Sequence, residues 1–328
     1  MRRAFFLPLL ISLLLLLPSA AQGAPEPPAP PVAGSLPPLP GFPAPYPILP
    51  AEIRQGDALI VWVPAPTTAS EYLGDAVLRS PAGAELQRAR PFLVPSPSGP
   101  CRAAYVFGVA VDAESGVYQV ELGGVQGGLP FASRHPLAVR ARDFLAEDIP
   151  LTADLTTIRT APSGRKDEEA RVYAEILGQV DPAGLWLDGS FLRPVASERR
   201  TSFFGDRRRY LYAAGGTAAA VHAGIDFAAP TGTPVKAAGR GRVVLAADRE
   251  VTGKTVVLEH LPGVFTIYMH LDSLSAGPGA VLERGALLGT VGSTGLATGP
   301  HLHWELRVRG IACDPETPAF AVFPPPGP

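Results

Sequence analysis

Five of the six histidines in this 328-residue chain (His222, His260, His270, His301 and His303) fall in its last third. Four of them sit in short segments suited to chemistry. His222 and Asp226 are four residues apart in His222-Ala223-Gly224-Ile225-Asp226. His301-Leu302-His303-Trp304-Glu305 places three ionisable groups at alternate positions, and Phe265-Thr266-Ile267-Tyr268-Met269-His270 repeats the alternation. Catalytic zinc is commonly held by three protein ligands drawn from His, Asp, Glu and Cys, with a fourth position open to water or substrate. Two histidines and one aspartate meet that need and leave two imidazoles over. A bound ion of this kind lowers the pKa of its water to about 7. The spare imidazoles can then take up a proton or hydrogen-bond a developing oxyanion.

These groups must be brought together by particular elements. Period-two alternation from Gly299 to Leu306 predicts a strand, with His301, His303 and Glu305 on one face and Leu302, Trp304 and Leu306 packed on the other. By the same rule Phe265, Ile267 and Met269 are expected to point inward and Thr266, Tyr268 and His270 to take the polar side. In a straight strand His222 and Asp226 would stand about 13 Å apart at 3.3 Å per residue, too far to share one ion. A bend at Ala223-Gly224 is therefore expected, which glycine permits.

The composition narrows the class. The 28 Lys+Arg against 30 Asp+Glu leave a net charge of −2, which gives no electrostatic case for nucleic-acid binding or a polybasic membrane contact. With 38 Pro and 35 Gly, long helices are disfavoured and a mainly β chain is expected. Met1-Arg2-Arg3, the apolar run Ala4 to Leu17 and the small residues after Pro18 read as a secretory signal peptide cleaved after Ala21. An uncleaved N-terminal anchor is the alternative, although the apolar run is shorter than the ~20 residues a spanning helix needs. No stable membrane insertion is expected after cleavage, and no Cys follows that would carry a lipid anchor. Residues 22–50 form a Pro-rich, PPII-like tether. The β-like runs Ala58–Val63, Ala103–Val111, Val117–Leu122 and Leu137–Arg142 predict a small β-sandwich over 51–147. A connector over 148–195 is expected to hold one helix, Asp167–Gln179. A second β-rich domain spans 196–322, and a Pro-rich tail spans 323–328.

From Thr201 onward the chain resembles the LytM/lysostaphin-type zinc metallopeptidases of bacterial cell walls. The resemblance is carried by Thr201-Ser202-Phe203-Phe204-Gly205-Asp206-Arg207, His222-x-x-x-Asp226, Ala229-Pro230-x-Gly232-Thr233-Pro234-Val235, Tyr268-x-His270-Leu271, and Gly292-x-Thr294-Gly295-x-x-Thr298-Gly299-Pro300-His301-Leu302-His303. It implies an antiparallel β-sheet peptidase domain with His222, Asp226 and His303 as zinc ligands and His301 and His270 serving the chemistry. It also implies an exported endopeptidase of the periplasm or cell envelope, with peptidoglycan peptide as substrate and envelope proteins as regulators. Residues 51–147 resemble the immunoglobulin-like module found ahead of some secreted peptidase domains. The competing functions are a non-enzymatic LytM-like module that binds wall or regulates another hydrolase, and a non-haem iron oxygenase, whose Fe(II) is also held by two His and a carboxylate. No ligand is missing, which weighs against the first. The two spare histidines and export weigh against the second.

The remaining polar features have plainer readings. His135 and His260 are expected to be surface or satisfied histidines. Glu305 is either a partner that orients a ligating imidazole or a rim carboxylate. Arg207-Arg208-Arg209 reads as a solvated face, Tyr210 and Tyr212 as candidates for substrate contact, and Gly289 to Gly299 as a turn-rich approach, since no phosphate-loop Lys follows. Cys101 and Cys313 are either bridged between domains or separately buried as thiols.

Overall fold

The computed structural model describes residues 47–95 and 100–324. The expected signal peptide, and most of the tether and tail, lie outside the described residues. The described residues all fall within one unit, 37–328. No helix among them is long and apolar enough to cross a membrane.

The N-terminal half builds two sheets. One runs Glu52–Arg54, Leu129–Arg140, Gly116–Gln126, Ala76–Arg79, Glu85–Ala89, with Tyr72–Leu73 at the side; the other is Ala58–Pro64, Arg102–Gly108, Phe92–Val94. Leu59, Val61, Val63, Tyr105 and Phe107 of the smaller sheet meet Val120, Leu122, Leu137 and Val139 of the larger across a shared core. The run Ala58-Leu59-Ile60-Val61-Trp62-Val63 shows no polar alternation, as expected of a strand covered on both faces. Its other face (Ala58, Ile60, Trp62) joins a second core with Leu261, Val264, Leu306, Val308, Cys313 and Phe320 from the C-terminal half. Cys313 lies in that core as a free thiol and Cys101 is exposed and free, so no bridge staples the halves.

The C-terminal half is a ten-stranded sheet whose main path runs Arg200–Ser202, Gly224–Ala228, His301–Val308, Val264–Leu274, Gly253–Leu261, Gly241–Arg249, Val281–Leu282. The strand His301–Val308 is flanked by Gly224–Ala228 and Val264–Leu274, both antiparallel to it. Trp304 is buried with Leu302 against Phe227 and Tyr268.

The connector holds a strand, Ala146–Pro150, and two helices, α1 (Ala153–Thr160) and α2 (Gly164–Gly178). Only α2 was expected, and it starts three residues before Asp167, where Ser163 Oγ accepts from Lys166 N at 3.4 Å. The sequence Ala-Asp-Leu-Thr-Thr-Ile-Arg-Thr of α1 is half β-branched, which conceals a helix. Its N-cap Thr152 accepts from Leu155 N at 3.3 Å.

One expectation of facing is overturned. Phe265, Ile267 and Met269 lie opposite Arg307, Glu305 and His303, and so share the face of the site residues, where α2 covers them with Tyr173, Ile176 and Leu177. Thr266 and Tyr268 lie opposite Leu306 and Trp304, on the other side. The reason is that both faces of this strand are buried, one under α2 and one in the main core, so neither set had to be solvated.

Candidate metal centre

The site is assembled from a cross-strand pair and a bend. Asp226 and His303 face each other directly in the antiparallel register, where opposed side chains are close neighbours. His222 comes from the two residues between the strands Thr217–Val221 and Gly224–Ala228, at the bend expected from the sequence. Gly224 is required there, because a Cβ would stand 2.3 Å from the carbonyl oxygen of Trp304. His222 Nε2 then lies 3.1 Å from Asp226 Oδ1 and 2.9 Å from His303 Nδ1, and His303 Nδ1 lies 2.8 Å from the same carboxylate oxygen. His222, Asp226 and His303, all buried, are the group among the described residues able to hold a metal ion.

The outward bonds of these residues fix what faces inward. His222 Nδ1 donates to the carbonyl of Phe203 at 2.8 Å, leaving Nε2 as a lone pair. His303 Nε2 donates to Glu305 Oε1 at 2.9 Å, leaving Nδ1 as a lone pair. Two imidazole lone pairs and a carboxylate oxygen thus converge with no proton between them. Three acceptors this close are repulsive unless a cation joins them, and His/His/Asp is a donor set that suits zinc. Glu305 is the orienting partner of a site imidazole, and Arg307 holds it in turn at 2.7 Å.

Arg208 supports the remaining carboxylate oxygen. It donates to Asp226 Oδ2 at 2.5 Å and to Glu147 Oε1 at 2.7 Å. The expected solvated face is therefore wrong for this arginine, whose side chain is 13% exposed. Arg207–Leu211 is a strand pairing in parallel with Ala146–Pro150, which sets Glu147 opposite Arg208. Successive strand residues point to opposite faces, so one of three consecutive arginines had to differ from its neighbours. That alternation was the available signal. Arg209 keeps the expected role, paired with Asp148 on an exposed surface.

Burial raises the Glu305 carboxyl, and Arg307 with His303 brings it down to about 2.

His301 and His270 complete the cluster. His301 Nδ1 donates to the carbonyl of Gly299 and His270 Nδ1 to that of Thr294, each at 2.8 Å, so each neutral ring keeps Nε2 as an acceptor. Their ring centroids are 4.8 Å apart, and His301 Nε2 is 3.7 Å from Asp226 Oδ1. Strand alternation alone would send His270 after Tyr268 into the core. His270 has instead a φ of 61°, a left-handed conformation rare outside glycine, which swings the ring out to the site. Burial, with His301 and His303 nearby, lowers its pKa to about 3. All five sequence-derived site residues line one cavity of about 230 Å³. Tyr210 lines it too and Tyr212 does not. His260 is fully buried elsewhere, bonded to the Arg240 carbonyl and to Thr266 Oγ1.

With this geometry in place, comparison with known proteins is direct. Residues 220–315 match the model of peptidase family M23. The chain is thus similar to that family over this domain. It is 36% identical over 154 residues to the DD-carboxypeptidase/endopeptidase Mpg of Neisseria meningitidis, covering 47% of this chain and 32% of that protein. It is 36% identical over 174 residues to the peptidoglycan DD-endopeptidase ShyA of Vibrio cholerae, covering 52% of this chain and 39% of that protein. The matches thus span only about a third of the relatives' own length. A crystal structure of a candidate M23 peptidase from Pseudomonas aeruginosa superposes with a TM-score of 0.54 at 22% identity, over 81% of this chain and 94% of that one, a likeness of fold.

Proposed function

We propose that the protein is an exported zinc endopeptidase that hydrolyses peptide bonds in the stems or cross-links of bacterial peptidoglycan. The observation that carries this reading is the convergence of two imidazole lone pairs and a carboxylate beside two further neutral imidazoles. Relatives named as peptidoglycan DD-endopeptidases support the substrate class. In this reading the β-sandwich at 51–147 and the connector at 148–195 position a catalytic domain at 196–322, and the N-terminal signal directs the chain to the envelope.

His222, Asp226 and His303 would hold the zinc ion, which when bound supplies Lewis acidity and a water acidified toward a pKa of about 7. Arg208 and Glu305 fix the orientation of Asp226 and His303. The Nε2 lone pairs of His301 and His270 accept the proton released as the peptide carbonyl is attacked. Once protonated, the same nitrogens can donate to the oxyanion or to the departing amine.

The test separates ligands from the other histidines. His303→Ala is expected to lose both stoichiometric zinc and release of peptide fragments from purified peptidoglycan. His301→Ala is expected to retain zinc and lose release by at least about 100-fold. Metal analysis and chromatography of the released peptides read the two effects, and wild-type release from either variant loaded with metal would refute the proposal.

A further inference from the structure

One cation in the cleft is paired with no carboxylate among the described residues. Arg159, on α1, lines the same cavity as the five site residues. Its guanidinium carbon lies 3.9 Å from the centroid of the Tyr210 ring. Its Nε is buried and has no hydrogen-bond partner among the described residues. The other arginines nearby are committed: Arg208 to Asp226 and Glu147, Arg209 to Asp148, and Arg307 to Glu305. A buried donor left unpaired is costly, and buried polar groups in folded proteins nearly always have a partner. Packing does not account for the position either, since α1 buries none of its residues.

Contact with the Tyr210 ring holds the guanidinium in the cleft with its Nε unpaired among the described residues, and the N–H edge of a guanidinium matches a carboxylate bidentately. Ile149, Leu151 and Val221 form an apolar wall on the same cavity, where a charge-assisted pair is stronger than in water. We infer that Arg159 is a substrate-binding residue that receives a free carboxylate of the peptide lying in the metal cleft. The inference rests on the reading of the site as a peptidase. That carboxylate is either the peptide's chain terminus or a side-chain carboxylate, and the chemistry of recognition is the same for both.

The test uses a short stem-type peptide bearing both kinds of carboxylate, and its two singly amidated forms. Binding is measured by calorimetry to zinc-loaded protein in a His301→Ala background, so that turnover does not intervene. One of the two amidations is expected to weaken binding about tenfold or more, and which one does so identifies the carboxylate. When Arg159→Gln is added, that amidation is expected to make no difference. The inference is overturned by absent binding, by binding indifferent to both amidations, by a preference that survives Arg159→Gln and so belongs to the metal or another cation, or by equal weakening of all three peptides. Hydrolysis of the same peptide by the unsubstituted chain is scored separately. Its absence would sink the peptidase reading while the carboxylate comparison still decides the role of Arg159.

Discussion

Every imidazole in the cleft has one nitrogen committed to a carbonyl or carboxylate, so the tautomer is set by the fold and the other nitrogen is the one that acts. His270 is the most constrained of them, because its side chain reaches the site only through a left-handed backbone. Asparagine tolerates that conformation better than most residues, so His270→Asn removes the imidazole with little backbone penalty. It is expected to lower kcat by about 100- to 10,000-fold with zinc content and melting temperature close to wild type, measured on purified peptidoglycan. A variant equally depleted of zinc would instead make His270 a ligand. His222, Asp226, His301 and His303 were legible in the sequence as a cluster, because short spacings and strict alternation expose them. Arg208 was not, since its meaning depends on Glu147, which lies 61 residues away.

At the scale of elements, the strand His301–Val308 was readable from its period of two, and the bend at Ala223-Gly224 from the reach of a straight strand. The facing of Val264–Leu274 was not, because nothing local announces that α2 will cover one of its faces. The Gly-rich approach to the His301 strand has a positional reason too. Gly295 has a φ of 71°, and a Cβ there would stand 2.4 Å from the backbone nitrogen of Gly253. The two glycines let the turn at 250–252 and the start of the strand after it close on the segment whose Thr294 carbonyl accepts from His270. Gly295→Ala is expected to cost about 1–3 kcal/mol in urea unfolding and to reduce kcat through His270. Unchanged stability would show that the contact relaxes.

For the molecule as a whole, His260 links stability to pH. Burial lowers its pKa from 6.5 to about 4, and its Nδ1 is bonded to the Arg240 carbonyl. Above pH 6.5 the ring is neutral in both the folded and unfolded chain. As pH falls toward 4, only the unfolded chain takes up the proton, so folding loses about 3 kcal/mol over that window. Urea unfolding at pH 7 and pH 4 is expected to show this loss in wild type and a loss smaller by about that amount in His260→Gln. Parallel losses in the two proteins would refute it. The two-sheet N-terminal half and the sheet that carries the site share one core through Trp62, Ile60, Leu306 and Val308. The apolar run Ala58–Val63 announced a strand, but not that its second face would be covered by residues some 200 positions away.

That shared core joins the halves thermodynamically. A ligand that binds only the folded form stabilises by RT ln(1 + [L]/Kd), about 2.7 kcal/mol at a hundredfold excess over Kd. Where two halves unfold together, that free energy is not confined to the end that holds the ligand. A metal ion taken up by His222, Asp226 and His303 therefore stiffens sheets that never touch it. Where that metal is scarce, the whole chain is expected to be more open to proteolysis, the N-terminal half included.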